Sequence, residues 1–239
     1  VRCLPEVPAF AGMTLIQMPT ALIIGASRGI GLELARQYRA ENWRVIATAR
    51  QPEDLARLQA LGAEAHALDV TSVDAVAGFG WKLDDERLDV AFLNAGVYGP
   101  RHDGFPTQQD FDTVMHTNVL AAMRLLPMIG PLLTANRGRL AVLSSRMGSI
   151  GARTSATGTL YRASKAALNS VLADAALTFG PKGVIAVAFH PGWVQTDMGG
   201  SGADLPVEDS VRGLRATLAS RKPADNGHFF NYDGTPIPW

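Results

Sequence analysis

Residues 21–25 (ALIIG) form an unbroken apolar run that ends in a glycine-spaced turn, Gly25-Ala-Ser-Arg-Gly29-Ile-Gly31, and a helix-patterned stretch follows at once. This order leaves few options for the fold. A short run that is apolar throughout is buried on both faces, which is the situation of an inner strand of a parallel sheet. A strand that turns directly into a helix returns to its sheet by a crossover, so the helix covers one face. Glycine at the first, fifth and seventh positions of the turn permits tight turning. It also lets a pyrophosphate approach the N–H groups that open the helix.

The alternation continues to the end of the chain. Further strands are expected at 44–49 (RVIATA), 63–70, 88–94 (LDVAFLN), 139–145 (RLAVLSS) and 184–190 (VIAVAFH), with a short edge strand at 228–231. Helices are expected at 29–40, 52–61 (closed by Gly62), after a cap at Thr71 or Ser72, at 110–134 with a bend at Pro127, at 160–179 and at 208–219. No linker or repeat divides the series. Residues 18–239 therefore read as one α/β domain, a Rossmann-type doubly wound parallel sheet of about seven strands flanked by helices. Residues 1–17 carry two prolines and no helical period, and they read as a disordered extension.

Bulk chemistry excludes several functions. With 22 basic and 22 acidic residues and no basic run, the chain offers no surface for nucleic acid or anionic lipid. It has no uninterrupted apolar stretch of about 18 residues, so no membrane span is expected. Cys3 is the only cysteine, which rules out an internal disulfide and fits a reducing, cytoplasmic setting. His66, His102, His116, His190 and His228 lack metal-ligand spacing, so no metal site is expected.

Chemistry concentrates in YRASK. Tyr161 and Lys165 lie four residues apart on an expected helix, so phenol and ammonium share a face. A neighbouring cation favours the phenolate and suits the tyrosine to proton exchange with a substrate oxygen. The glycine turn, with Gly25, Ser27, Arg28, Gly29, Ile30 and Gly31, is the expected seat of a dinucleotide. At the end of the second strand stand Ala49 and Arg50, with Arg28 nearby and no carboxylate. Two guanidinium groups there favour NADP(H) over NAD(H), whose ribose is usually held by an acidic side chain. Asp69 and Val70 end the third strand, where the carboxylate suits an adenine amino group. Asn94, Ala95 and Gly96 end the fourth, where a small turn lets a ribose sit against backbone.

GASRGIG, NAG, the paired serines ending a strand, YRASK and PGWVQT occur in the order and near the spacings of the short-chain dehydrogenase/reductase family, which residues 18–239 resemble. SSRMGSI, YRASKAALN, HPGWVQTDMGG and FNYDGTPIPW resemble more closely a branch of sniffer-type carbonyl reductases and C-factor signalling proteins. The resemblance implies a catalytic set of Asn118, Ser145, Tyr161 and Lys165. Tyr161 would donate a proton to the substrate carbonyl, and Ser145 would polarise that oxygen. Lys165 would bind the nicotinamide ribose and support the phenolate. Asn118 would hold a water leading from Lys165 to solvent. Lowering a phenol by about three pKa units represents about 4 kcal/mol, a demand that Lys165 and an oxidised nicotinamide are expected to meet together. Pro191, Gly192, Val194 and Thr196 match the nicotinamide-side loop.

Ser145 and Tyr161 are sixteen positions apart, about three more than in the family's commoner members, and the excess is assigned to 152–159. Ser144 is the alternative serine, because alternation along a strand places only one of the pair on the cofactor side. Residues 198–207 are expected to cover the substrate cleft, with Tyr98, Arg101, His102, Trp193 and Trp239 as possible walls. Two functions follow from the resemblance. One is an NADP(H)-dependent reductase or dehydrogenase of small carbonyl or alcohol compounds. The other is a C-factor-type nucleotide-binding signalling protein with little turnover. A homodimer or homotetramer is implied in either case.

Overall fold

A computed structural model describes residues 18–100 and 105–239. The expected extension at 1–17, Cys3, and the wall residues Arg101 and His102 lie outside these. Seven strands form one sheet: β1 (Thr20–Ile24), β2 (Arg44–Ala49), β3 (Glu64–Ala67), β4 (Val90–Leu93), β5 (Arg139–Leu143), β6 (Ile185–His190) and β7 (Phe229–Asn231). Their order is β3-β2-β1-β4-β5-β6-β7, and every neighbouring pair is parallel. The order reverses beside β1, between β1 and β4. That switch point opens a crevice at the carboxyl edge, where such sheets bind ligands.

The inner strands are mostly apolar, and their apolar residues divide by parity between two cores. Leu22, Ile24, Ile46, Ala91, Leu93, Leu140 and Val142 face one core. Ala21, Ile23, Val45, Ala47, Val90, Phe92, Ala141 and Leu143 face the other. The first core is closed by α3 (Val73–Lys82), α5 (Ala121–Thr134) and α6 (Thr159–Phe179), and the second by α1 (Gly29–Ala40), α2 (Pro52–Ala60) and α7 (Val207–Ser220). Side chains alternate across a pleated strand, so two helical layers demand the unbroken apolar runs seen in the sequence.

Some expectations shift, and one open alternative is decided. β3 is shorter than 63–70, because an edge strand with partly exposed residues has only one neighbour to extend its ladder. Ser72 rather than Thr71 caps α3, its hydroxyl accepting from the Ala75 N–H. The paired serines lie just beyond β5 rather than within it. The long helix is interrupted not at Pro127 but by a π turn, His116–Leu120, between α4 (Gln108–Met115) and α5. Pro127 and Pro131 are both accommodated inside α5. The run Gln108–Thr134 is long and apolar enough to cross a bilayer, but half of it is buried, as expected of a core helix.

Candidate active site

The glycine turn is built for close contact. A side-chain carbon on Gly25 would lie 2.8 Å from the Ala95 backbone, and one on Gly31 would lie 2.1 Å from the Gly25 carbonyl. Gly25 and Gly29 adopt φ of +87° and +53°, a region costly for other residues. Two groups pin the turn. The Gly25 N–H donates to Thr48 Oγ1 at 3.0 Å, and the Asn94 amide donates to the Gly25 carbonyl at 2.6 Å. Asn94 thus braces the turn, and Thr48, a buried hydroxyl in an apolar strand, is a residue sequence reasoning missed.

At the N-terminus of α1, Arg28 caps with no side-chain bond and the first turn holds no acidic residue. Uncapped N–H groups and the positive end of the helix dipole make this end fit an anionic pyrophosphate. Ile30, by contrast, packs against the second core.

Three arginines stand around the glycine turn and the end of β2. Arg50 is exposed at the end of β2. Arg57, also missed in the sequence, donates to the Ser27 carbonyl at 3.0 Å and to Asp54 at 3.1 Å. Arg28 pairs with Asp197 at 3.0 Å, both side chains being about three-quarters exposed. The pair ties the glycine turn to the loop after β6. Asp69 accepts from the backbone N–H and hydroxyl of Thr71, which hold its pKa below the usual value with help from Arg50. Val70 is buried beside it.

Gly96 joins this half of the crevice to the other. A side-chain carbon there would lie 3.2 Å from Asn118 Oδ1 and 3.3 Å from Lys165 Nζ. Asn118, in the π turn, accepts from the Val97 N–H at 2.8 Å and donates to the Val97 carbonyl at 2.8 Å and to Ser164 Oγ at 2.9 Å. Both of its amide protons are spent on protein. A water at this side chain could therefore only donate, to the remaining lone pair of Oδ1.

Tyr161 and Lys165 share the buried side of α6. The ammonium donates to the Leu143 carbonyl at 2.8 Å and lies 5.7 Å from the Tyr161 ring centre. Burial pushes Lys165 down to about 8. Burial also pushes Tyr161 up to about 12, against a hydrogen bond from Ser145 that favours the phenolate. The lowering of the phenol expected from Lys165 is thus not realised in the protein alone, because the ammonium addresses the ring and Leu143 and not the hydroxyl. Tyr98 stacks on Tyr161, centroids 4.6 Å apart at 27°, and also raises its pKa.

The two serines turn to different partners. Ser144 Oγ donates to Asn169 at 2.5 Å, inside the fold. Ser145 Oγ accepts from the Met147 N–H at 3.2 Å and stands on the Tyr161 side, where it favours the phenolate. Beyond β6, Pro191 accepts from Ser210 Oγ at 2.6 Å, Gly192 has φ +89°, and Val194 is buried. The Thr196 methyl would lie 3.1 Å from a side-chain carbon on Gly29, so this loop lies against the glycine turn. Trp193 donates to the Gly199 carbonyl at 2.9 Å, bracing the segment expected to cover the cleft. Trp239 stacks on Phe229, centroids 5.5 Å apart, and stays 42% exposed. Burial pushes His190, at the end of β6, down to about 4, helped by Arg146.

Comparison with known proteins agrees with this geometry. The C-signal protein of Myxococcus xanthus is 40% identical over 154 residues, 64% of this chain and 93% of that protein. The carbonyl reductase Sniffer of D. melanogaster superposes with a TM-score of 0.83 at 30% identity, over 93% of this chain and all of that one. An NADPH-bound carbonyl reductase from chicken fatty liver superposes with a TM-score of 0.84 at 29% identity, over 94% of this chain and all of that one. Both the sniffer-type and the C-factor-type likenesses expected of the motifs are present. A family model described as short chain dehydrogenase matches residues 19–204. The chain therefore belongs to the short-chain dehydrogenase/reductase family, oxidoreductases acting on C=O and CH–OH groups.

Proposed function

We propose that the protein is an NADP(H)-dependent carbonyl reductase in which Tyr161, Ser145 and Lys165 act directly on substrate and cofactor. The observation that carries this reading is the convergence of Tyr161, Ser145 and Lys165 at the carboxyl edge of the sheet: Lys165 donates to the carbonyl of Leu143, the last residue of β5, and lies 5.7 Å from the Tyr161 ring centre. Gly96 and Thr196 connect that site to the glycine turn. A bound nicotinamide supplies the hydride in reduction and accepts it in oxidation.

Tyr161, held up to about 12, is protonated at neutral pH, the state needed to hand a proton to a carbonyl oxygen. Ser145 donates a second hydrogen bond to that oxygen and stabilises the charge developing on it. Lys165, with a value of about 8, is mostly cationic at pH 7 and holds the ribose hydroxyls. Asn118 keeps the 95–97 turn against α6 and so sets the distance from Gly96 to Lys165. Arg50 and Arg28 support the choice of NADP(H), with Arg57 alongside. The substrate is a small carbonyl compound, and the setting is the cytoplasm. Exposed Phe111, Met123 and Leu177 on α4, α5 and α6 support a homo-oligomer.

The test is NADPH and NADH consumption with aldehydes, ketones and quinones by wild type and Tyr161→Phe. Wild type is expected to turn over, preferring NADPH, and the variant to lose at least about 10²-fold in rate with unchanged cofactor affinity. Near-normal turnover by the variant removes Tyr161 from the mechanism. The similarity to C-signal favours a second reading, a nucleotide-binding signalling protein. Tight NADPH binding by wild type with no turnover across the panel is the result that selects it.

A further inference from the structure

Arg162, next to Tyr161 in the chain, is 8% exposed, and among the described residues no carboxylate pairs with it. Guanidinium stays charged in proteins and keeps five donors, and a buried charge must be met by polar groups. Here main-chain carbonyls meet it. Nε donates to the Thr157 carbonyl at 2.6 Å and Nη1 to the Met147 carbonyl at 3.4 Å. These acceptors stand near the two ends of the loop that carries the extra residues between Ser145 and Tyr161. Residues 153–157 of that loop are exposed, so little apolar burial holds it in place.

The bonds close a circuit. Arg162 donates to the Met147 carbonyl, the Met147 N–H donates to Ser145 Oγ, and Ser145 lies beside Tyr161, where it favours the phenolate. Tyr161 then leads back to Arg162 through the α6 backbone. We propose that Arg162 is a positioning residue for the reaction: it clasps the enlarged loop at both ends and thereby holds Ser145 in register with Tyr161. This inference rests on the proposed roles of Ser145 and Tyr161. The clasp explains how a longer connection leaves the two hydroxyls together. It asks for a planar, forked donor that lysine does not supply.

The experiment compares wild type, Arg162→Lys, Arg162→Met and Tyr161→Phe in steady-state kinetics, NADPH binding and hydrogen exchange over residues 147–158. Arg162→Met is expected to lose about 10- to 10²-fold in kcat, the scale of a misplaced catalytic group, with NADPH affinity retained and faster exchange in the loop. Arg162→Lys keeps the buried cation and is the variant to read if Arg162→Met does not fold. It is expected to fall between the other two and to move the acidic limb of alcohol oxidation to higher pH, because Ser145 then supports the phenolate less. A clasp with no bearing on chemistry would speed loop exchange while leaving kcat and the pH limb unchanged, and that result overturns the proposal. Wild-type exchange in the lysine variant also overturns it. If wild type does not turn over, or Tyr161→Phe does so normally, the reductase reading fails instead, while loop exchange still reports on the clasp.

Discussion

Lys165→Met should make the nucleotide-free protein more stable while abolishing its activity. The ammonium is buried, 4% exposed, and donates to the Leu143 carbonyl. Holding it charged there lowers its pKa from 10.5 to about 8, a difference worth about 3 kcal/mol of lost stability at pH 7. Methionine fills the space of the stem without the charge. It also leaves the Leu143 carbonyl short of a donor, a penalty of about 1–2 kcal/mol. The net expectation is a gain of about 1–2 kcal/mol at pH 7. Denaturant unfolding of both proteins across pH measures it. Between about pH 8 and 10.5 the unfolded chain holds the Lys165 proton that the folded chain has released, so wild-type stability rises through that window. Tyr38 and Tyr161, both raised from 10.0 to about 12, act in the opposite sense above about pH 10. They are present in both proteins, so the difference between the two curves isolates Lys165: the advantage of the variant should shrink as pH rises past 8. A variant clearly less stable than wild type at pH 7, or a difference that does not change with pH, refutes the desolvation argument.

Two further substitutions test the site. Arg50→Asp should weaken NADPH much more than NADH, and equal weakening in titrations of both cofactors would show that Arg50 does not read the 2′-phosphate. Ser145→Ala should lower kcat by about 10²-fold or more, the scale of a lost oxyanion donor. Ser144→Ala, which breaks the bond to Asn169 inside the fold, should lower thermal stability and leave kcat within about threefold; the reverse pattern would exchange the two serines.

Much of the fold was legible because it depends on local pattern. Apolar runs of strand length separated by amphipathic stretches admit few architectures, and all seven strands fell where the runs are. Pro127 is a local signal for a bend, whereas nothing in the run 110–134 itself marks the π turn at 116–120. The π turn instead coincides with Asn118, whose amide bonds Val97, 21 positions away, and no window of sequence contains that pairing. The cofactor side shows the same division. Gly25, Gly29 and Gly31 were readable from spacing, whereas Thr48 and Arg57 reach the turn only once β2 and α2 are packed beside it.

By itself the sequence determined the parallel sheet, the glycine turn and the placement of a phenol and an ammonium on one helical face, since each follows from the periodicity of strand or helix. Tertiary structure alone decided which serine meets Tyr161, where Arg28 and Arg162 direct their charge, and in which direction each pKa moves. Those outcomes depend on burial and on partners distant in the chain, such as Asn169 for Ser144 and Asp197 for Arg28. Desolvation in particular is a property of the packed interior, and in the protein without nucleotide it raises Tyr161.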